Sequence, residues 1–235
     1  MKIWLIRRVP GWYWGFIAGV FLLLVLLPDV MQLVAADQNG PRPFYHGKTD
    51  QPQVAFACNV FWGEEFLPEM LAELDRKNIK ITFFIGGSWA KRNPQMLQMI
   101  AEHGHELGNH SYSHPHPNAL SRQQNQDQIM RTEALVAELT GRKTRLYAPP
   151  YGEFNSAVLA AAADLDYTTI LWSIDTIDWK RPPEEVLIAR VTKKLHNGAI
   201  ILMHPTAPTA RALPELIARV QAAGYTIGPV SDILP

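Results

Sequence analysis

The chain has 235 residues, of which 47% are apolar and 19% are charged, a composition typical of a globular protein with a sizeable core. Lys plus Arg and Asp plus Glu each number 22, and no long basic run occurs, so the sequence does not indicate a nucleic-acid partner. Cys58 is the only cysteine, which excludes a disulfide framework within the chain.

The N-terminus has the pattern of an exported protein. Residues 1–8 carry three basic side chains, and residues 9–28 are uncharged and mostly apolar. A run of that length can cross a bilayer as a helix, and the preceding basic residues favour a cytoplasmic N-terminus. We therefore predict a short cytoplasmic segment (1–8) and a transmembrane signal-anchor helix (9–28), which places the rest of the chain outside the cytoplasm at the cell membrane. The alternative is a signal peptide, with secretion after cleavage near Ala36.

The remaining sequence changes character at residue 53. Residues 29–52 contain scattered Gly, Pro, Asn and Asp without an apolar period, which predicts a linker. From residue 53 to residue 235, strand-like and helix-like segments alternate. Strands are predicted near 54–60, 79–87, 105–108, 144–148, 167–172, 199–203 and 225–228. Helices are predicted near 66–74, 94–103, 121–139, 156–163, 183–195 and 212–222.

This alternation is typical of an α/β fold with a parallel sheet and helices around it. Four polar clusters fall just after predicted strands, at 59–65, 110–114, 149–152 and 175–204. In a (β/α) barrel such loops converge on one face, and we predict a barrel of about seven strands. An open, doubly wound sheet is the alternative, although no Gly-rich phosphate loop follows the first strand.

The polar clusters contain candidates for catalytic chemistry. His110 and His114 are four residues apart, a spacing at which two imidazoles can hold one metal ion, although solvated loop histidines are the alternative. Asp175 and Asp178 are three apart and could orient a histidine or cap a turn. His204 ends an apolar strand, where a carboxylate such as Asp178 can fix its tautomer.

Four motifs in a fixed order resemble one known family. The motifs are GNHSYSHP (108–115), APPYG (148–152), DTIDW (175–179) and ILMHP (201–205). They are similar to those of the polysaccharide deacetylases of the NodB-homology type, also called carbohydrate esterase family 4. The resemblance covers about residues 53–232, and the first motif, NVFWGEE, is similar to that of the membrane-anchored, sporulation-associated branch.

The resemblance implies a distorted (β/α) barrel that removes N-acetyl groups from peptidoglycan or another N-acetylated glycan of the cell wall, with a divalent metal, zinc being the expected ion. By position, His110 and His114 would be the metal ligands. His204 would protonate the leaving amine, with Asp178 orienting it. The backbone N–H of Tyr151 would stabilise the oxyanion. The expected walls of the substrate pocket are Pro150, Trp179 and Leu202.

The sequence departs from the family where the general base and the third metal ligand are expected. Asn59 and Val60 stand where the family has two aspartates, and neither an amide nor a valine can do that work. Ala148 replaces the arginine that holds the base. Either Glu64 or Glu65 could supply a carboxylate if its loop folded back.

Three functions remain open from the sequence. The favoured hypothesis is a working deacetylase of cell-wall glycan, with His204 as base and acid or with a displaced glutamate. The alternative is a catalytically degenerate deacetylase fold that binds glycan or a partner at the membrane surface, and a third hypothesis is ester hydrolysis. The side chains of Trp62, Trp89 and Trp172 are candidates for a sugar groove, but aromatic residues beside strands are more often core.

Overall fold

The computed structural model describes residues 40–48 and 50–235. Pro41–Pro235 form one compact unit, which therefore begins before residue 53 and includes part of the predicted linker. The predicted membrane helix, the basic segment before it and the alternative cleavage site all lie outside the described residues. None of the helices described has the length and apolar character that crossing a membrane requires.

The described residues form eight strands and eight α-helices that largely alternate. The strands are β1 Gln53–Val60, β2 Thr82–Ile85, β3 Glu106–Asn109, β4 Leu146–Tyr147, β5 Thr168–Thr169, β6 Ile174–Asp175, β7 Ile200–Met203 and β8 Thr226–Gly228. The helices are α1 Leu67–Arg76, α2 Gly87–Arg92, α3 Pro94–Glu102, α4 Arg122–Thr140, α5 Ser156–Ala163, α6 Glu184–Thr192, α7 Ala207–Ala222 and α8 Val230–Ile233.

Local sequence signals explain where several of these helices begin and end. The side chain of Ser121 accepts a hydrogen bond from the backbone N–H of Gln124, and the side chain of Gln124 accepts one from the backbone N–H of Ser121. A complete capping box therefore starts α4. Gly141 ends the same helix at φ 69°, a conformation that glycine adopts without strain. Asn155 caps α5 by accepting the N–H of Val158. The long helix predicted near residues 121–139 is thereby confirmed.

All strand pairs of the sheet are parallel, in the order β5-β4-β3-β2-β1-β7-β6. The eighth strand, β8, pairs with the first half of β1, whose second half pairs with β2. No ladder joins β5 to β6 among the described residues, so the sheet is a curled half-barrel and not a closed ring. The predicted parallel α/β architecture is confirmed, and the distorted barrel takes the form of a half-barrel.

The N-terminal residues of the compact unit lie along this open seam. The backbone N–H of Phe44 donates to the Thr169 carbonyl at 2.9 Å, and its own carbonyl accepts from Leu171 at 2.7 Å. Farther along, His46 forms an antiparallel bridge with Ala199. Because these bonds continue the sheet at its edge, residues 44–46 are part of the domain.

The two faces of β1 divide the core. Alternate side chains of a strand point to opposite faces, and in β1 the even-numbered residues, Val60 included, pack in the cluster that the helices cover. The odd-numbered Ala55 and Ala57 pack in the smaller cluster inside the curl. Asn59 continues this inner face and lies near the carboxyl end of the strand, where the site forms.

The opposite end of the curl is plugged by α8. Val230 and Ile233 of this helix pack in the inner cluster. The N–H of Val230 donates to the Thr82 hydroxyl at 2.7 Å, and that hydroxyl donates to Glu106 at 2.5 Å. The inner space is therefore closed at this end and open only where the strands end.

Candidate functional site

A cavity of about 400 Å³ opens at the carboxyl ends of the parallel strands, as expected for βα loops that converge on one face. The polar side chains that line it come from four separate loops and strand ends: Asn59, His110, His114, Asp175 and His204. Its other walls are aromatic or aliphatic: Phe61, Trp62, Tyr151, Trp172, Trp179 and Leu202. The fold therefore brings together the histidines that the sequence placed in two different motifs.

His110 and His114 lie side by side in this cavity, with ring centroids 4.9 Å apart. Burial, followed by the neighbouring His114, lowers the pKa of His110 to about 3, and burial also lowers the pKa of His114. Both rings are therefore neutral near pH 7. The Nδ1–H of His110 donates to the carbonyl of Ala148 at 2.6 Å, which leaves Nε2 as the nitrogen with a lone pair.

The backbone is strained around these side chains. Ser111, His114, Tyr151 and Ile177 all have φ between 52° and 62°, in the left-handed region that residues with a Cβ rarely adopt. Each such residue costs on the order of 1 kcal/mol or more, and such costs cluster at functional sites. The strained positions lie on three of the loops at the mouth of the cavity. Their clustering here indicates that this end of the fold is a functional site.

The second half of the site is a hydrogen-bonded pair, His204 and Asp178. The Nδ1–H of His204 donates to Asp178 Oδ1 at 2.7 Å, and the backbone N–H of His204 donates to Oδ2 at 2.6 Å. Thr209, in the first turn of α7, donates its hydroxyl to the same Oδ2 at 2.6 Å. Since Asp178 is fully buried, these bonds fix its position and the orientation of the imidazole.

Trp62 covers His204 from the solvent side. The two rings are stacked, with an interplanar angle of 11° and centroids 5.7 Å apart. Gly63, at φ 83°, turns the chain immediately after this tryptophan. A Cβ at Gly63 would lie 2.0 Å from the carbonyl oxygen of Pro205, so only glycine allows the loop to approach the end of β7 this closely.

The positions that depart from the family differ in their surroundings. Asn59 faces the cavity, is 5% exposed, and its Oδ1 is buried without a hydrogen-bond partner among the described residues. Val60 points the other way, into the core beneath the helices. Ala148 is buried in the inner cluster, where its carbonyl holds His110. The cavity thus has no carboxylate at the place where the base is expected.

These residues do not fit the complete metal site that the resemblance implies. The two imidazoles are suitable zinc ligands, but the nearest remaining group at the third position is the neutral amide of Asn59. Within residues 40–48 and 50–235, no group of three or more His, Cys, Asp or Glu side chains is placed to hold a metal ion. A divalent cation here would be held by two neutral ligands and solvent, which is a weak set.

The carboxylate of Asp175 lines the cavity, and those of Glu64 and Glu65 do not. Glu64 accepts the indole N–H of Trp89 at 3.2 Å, and both glutamates line a separate depression beyond Trp62. The hypothesis that one of them folds back towards the histidine pair is therefore wrong. Asp175 was considered as a partner for a histidine or as a turn cap, and its register opposite Leu202 on β7 is what turns it inwards.

The aromatic candidates separate in the same way. Trp89 is fully buried in the core beneath the helices, so its assignment to a sugar groove is wrong. Trp62 and Trp172 do line the cavity. So does Trp179, which is 52% exposed with Lys180 Nζ 4.9 Å from its ring centroid.

The remaining residues of the predicted pocket lie near its mouth. The ring of Tyr151 is 55% exposed, is stacked on His116 at 4.2 Å and meets the edge of His114 at 4.6 Å. Leu202 lines the cavity, as predicted for an acyl pocket. Pro150 is buried beside it and is not part of the lining. Nothing in the sequence indicated that His116 stacks on Tyr151.

Known proteins of similar sequence identify the family to which this architecture belongs. The sequence profile described as polysaccharide deacetylase matches residues 46–170. An uncharacterised protein of Bacillus subtilis, YlxY, is 44% identical over 194 residues, which cover 83% of this chain and 61% of that relative. A peptidoglycan N-acetylglucosamine deacetylase of Bacillus cereus is 30% identical over 208 residues, covering 83% of this chain and 76% of the relative.

A solved structure agrees in sequence and in fold. A protein of Bacillus anthracis, described as a pseudoenzyme of carbohydrate esterase family 4, is 41% identical and superposes with a TM-score of 0.82 over 85% of this chain and 71% of its own. A mutant of the same protein is described as having restored enzymatic activity. With the matched profile, the shared sheet and the histidines gathered at its open end, the chain belongs to the polysaccharide deacetylase family.

Proposed function

We propose that the domain binds amino-sugar glycan of the cell wall, peptidoglycan or a related polymer, in the cavity at the strand ends, as a catalytically degenerate member of its family. The N-terminal segment would hold it at the outer surface of the cell membrane. The observation that carries the proposal is Asn59, whose amide occupies the place of the base and cannot take a proton from water at neutral pH.

The cavity retains what binding requires. Trp62, Trp179 and Tyr151 are each between 41% and 55% exposed and line its mouth, where aromatic faces can pack on sugar rings. The volume of about 400 Å³ is enough for a small polar group and part of a sugar. The similarity to a family pseudoenzyme supports the same reading of the site.

A second candidate is a slow deacetylase, and the intact His204–Asp178 pair favours it. With no carboxylate base, Nε2 of His204 would take a proton from water as the oxygen attacks the amide carbon. The same nitrogen would then return the proton to the departing amine as the carbon–nitrogen bond breaks. An ester would be cleaved more easily by this arrangement, since an alkoxide leaves more readily than an unprotonated amine.

Binding and turnover can be separated in one experiment. The full-length chain, in mild detergent, is sedimented with insoluble peptidoglycan while free amine and acetate are measured in the supernatant. We expect co-sedimentation that Trp179→Ala reduces and Tyr45→Ala, a similarly exposed aromatic outside the cavity, does not. Release of acetate that His204→Ala abolishes would replace the proposal with the deacetylase candidate, and equal binding by all variants would refute binding in the cavity.

A further inference from the structure

The chemical character of the cavity is unusual for a site that receives a neutral acetamide. Among the residues that the structure describes, its lining includes no lysine and no arginine, and Asp175 is the only carboxylate that faces it. Asp178, also a carboxylate, is buried directly behind His204. Lys180 is the nearest cation in sequence and lies over the Trp179 ring at the rim, outside the lining. The lining is therefore rich in acceptors and carries negative charge.

Two acceptors in this cavity have capacity for a ligand, and they belong to His110 and Asp175. Asn59 Oδ1 also has no donor, but it is buried from solvent, so a ligand in the cavity does not reach it. His110 spends its N–H on the Ala148 carbonyl, so its Nε2 accepts. Asp175 accepts the N–H of Ile177 through Oδ1 at 2.8 Å, which leaves Oδ2 available.

A primary ammonium group matches this set, because it carries three N–H donors, one positive charge and no acceptor. An acetamide carries no charge, so it gains less from the carboxylate of Asp175. The aromatic rings of Trp62 and Trp172 on the walls are also favourable to a cation.

We propose that the cavity recognises the protonated amino group of a de-N-acetylated sugar unit, with Asp175 and His110 accepting its N–H bonds. The inference rests on the proposed function, glycan binding in this cavity, and names the state of the glycan that is bound. The protein would then recognise the product of deacetylation, which other enzymes of its own family make.

The test compares two soluble oligomers of equal length, one of glucosamine and one of N-acetylglucosamine. Binding to the full-length chain is measured by calorimetry at about pH 6, where the amine is charged. We expect the glucosamine oligomer to bind about tenfold more tightly or better, as a charge-assisted hydrogen bond in a cavity allows. Asp175→Asn should remove most of that preference, so that the two oligomers bind with similar affinity.

A further variant makes the result specific. Asp127→Asn removes a carboxylate from the exposed face of α4 and controls for general attraction between the protein and a cationic oligomer.

Each outcome separates the inference from the proposed function. Equal or tighter binding of the N-acetylated oligomer would overturn the inference and leave glycan binding in place, as would a preference that Asp175→Asn does not change. A preference lost equally in Asp127→Asn would reduce it to surface charge. If neither oligomer binds, the proposed function and the inference both fail.

Discussion

Replacing Gly63 with alanine tests whether the loop that holds Trp62 over His204 depends on a single missing Cβ. Gly63 has φ 83°, and an added Cβ would meet the carbonyl oxygen of Pro205 at 2.0 Å, whereas ordinary contact needs about 3.4 Å or more. Gly224 provides a matched control, since it has φ 88° and nothing within 4 Å of the same position. Both alanines pay the same conformational penalty, and only one meets an obstacle.

The magnitudes follow from these two terms. An L residue in the left-handed region costs about 1–2 kcal/mol, which is the expected loss for Gly224→Ala. Forcing an extra carbon into a packed site adds about 1–3 kcal/mol, because here the obstacle is backbone and cannot turn away. Gly63→Ala should therefore lower the free energy of unfolding by about 1–3 kcal/mol more than Gly224→Ala does.

Urea unfolding of the full-length chain, followed by tryptophan fluorescence, measures this difference. With a slope of about 2 kcal/mol per M, the two midpoints should differ by about 0.5–1.5 M. Glycan binding should also weaken in Gly63→Ala, because the loop can relieve the clash only by moving Trp62. Equal midpoints would refute the reasoning, since they would mean that the loop has room for a side chain at no cost.

Three further predictions concern the charged and polar groups. The variant Asn59→Asp should melt below the wild type without metal, because it buries a carboxylate, and zinc should raise its melting temperature while leaving that of the wild type unchanged. Absence of a zinc effect would show that a carboxylate at this position does not complete the site. Burial, the largest cause, lowers the pKa of His105 from 6.5 to about 4, so the native state binds fewer protons than the unfolded chain between these values and stability falls as the pH drops. This group should make the free energy of unfolding, measured in urea, about 2 kcal/mol lower at about pH 5 than at about pH 7. The variant His105→Asn keeps an acceptor for the backbone N–H of Ile81, and its stability should fall less over the same pH range. Asp178→Asn should cost about 3–5 kcal/mol of stability in urea unfolding, whatever the activity of the protein.

The alternation of strands and helices was predictable because the central strands β1, β2 and β7 are nearly unbroken apolar runs buried on both faces, and β1 is the clearest case. The weakest prediction concerned the short strands. Ile174–Asp175 pairs through only two residues, too few for a periodic signal, and the run 167–172 contributes just Thr168–Thr169 to the ladder. Closure of the barrel depends on these two elements, so it could not be judged from the sequence.

The sequence motifs were sufficient to predict which histidines belong to the site, but they did not predict the directions of its side chains. His110, His114 and His204 meet in one cavity as their positions after strands suggested. The direction of a side chain at the end of a strand was not predictable in the same way. Asn59 and Val60 are adjacent in sequence and face opposite sides of the sheet, and Asp175 faces inwards because of its register with β7.

Asp178 and His204 have a structural role that does not depend on catalysis. Asp178 joins the end of β7, through the backbone N–H of His204, to the first turn of α7, through Thr209, and it does so with no exposure to solvent. Removing it would leave buried donors unpaired, a cost to folding that any member of the family would meet. Asn59 makes no comparable bond, so a change at that position costs the fold little. The half of the site that supports the structure is therefore the half expected to persist when the chemistry is no longer needed.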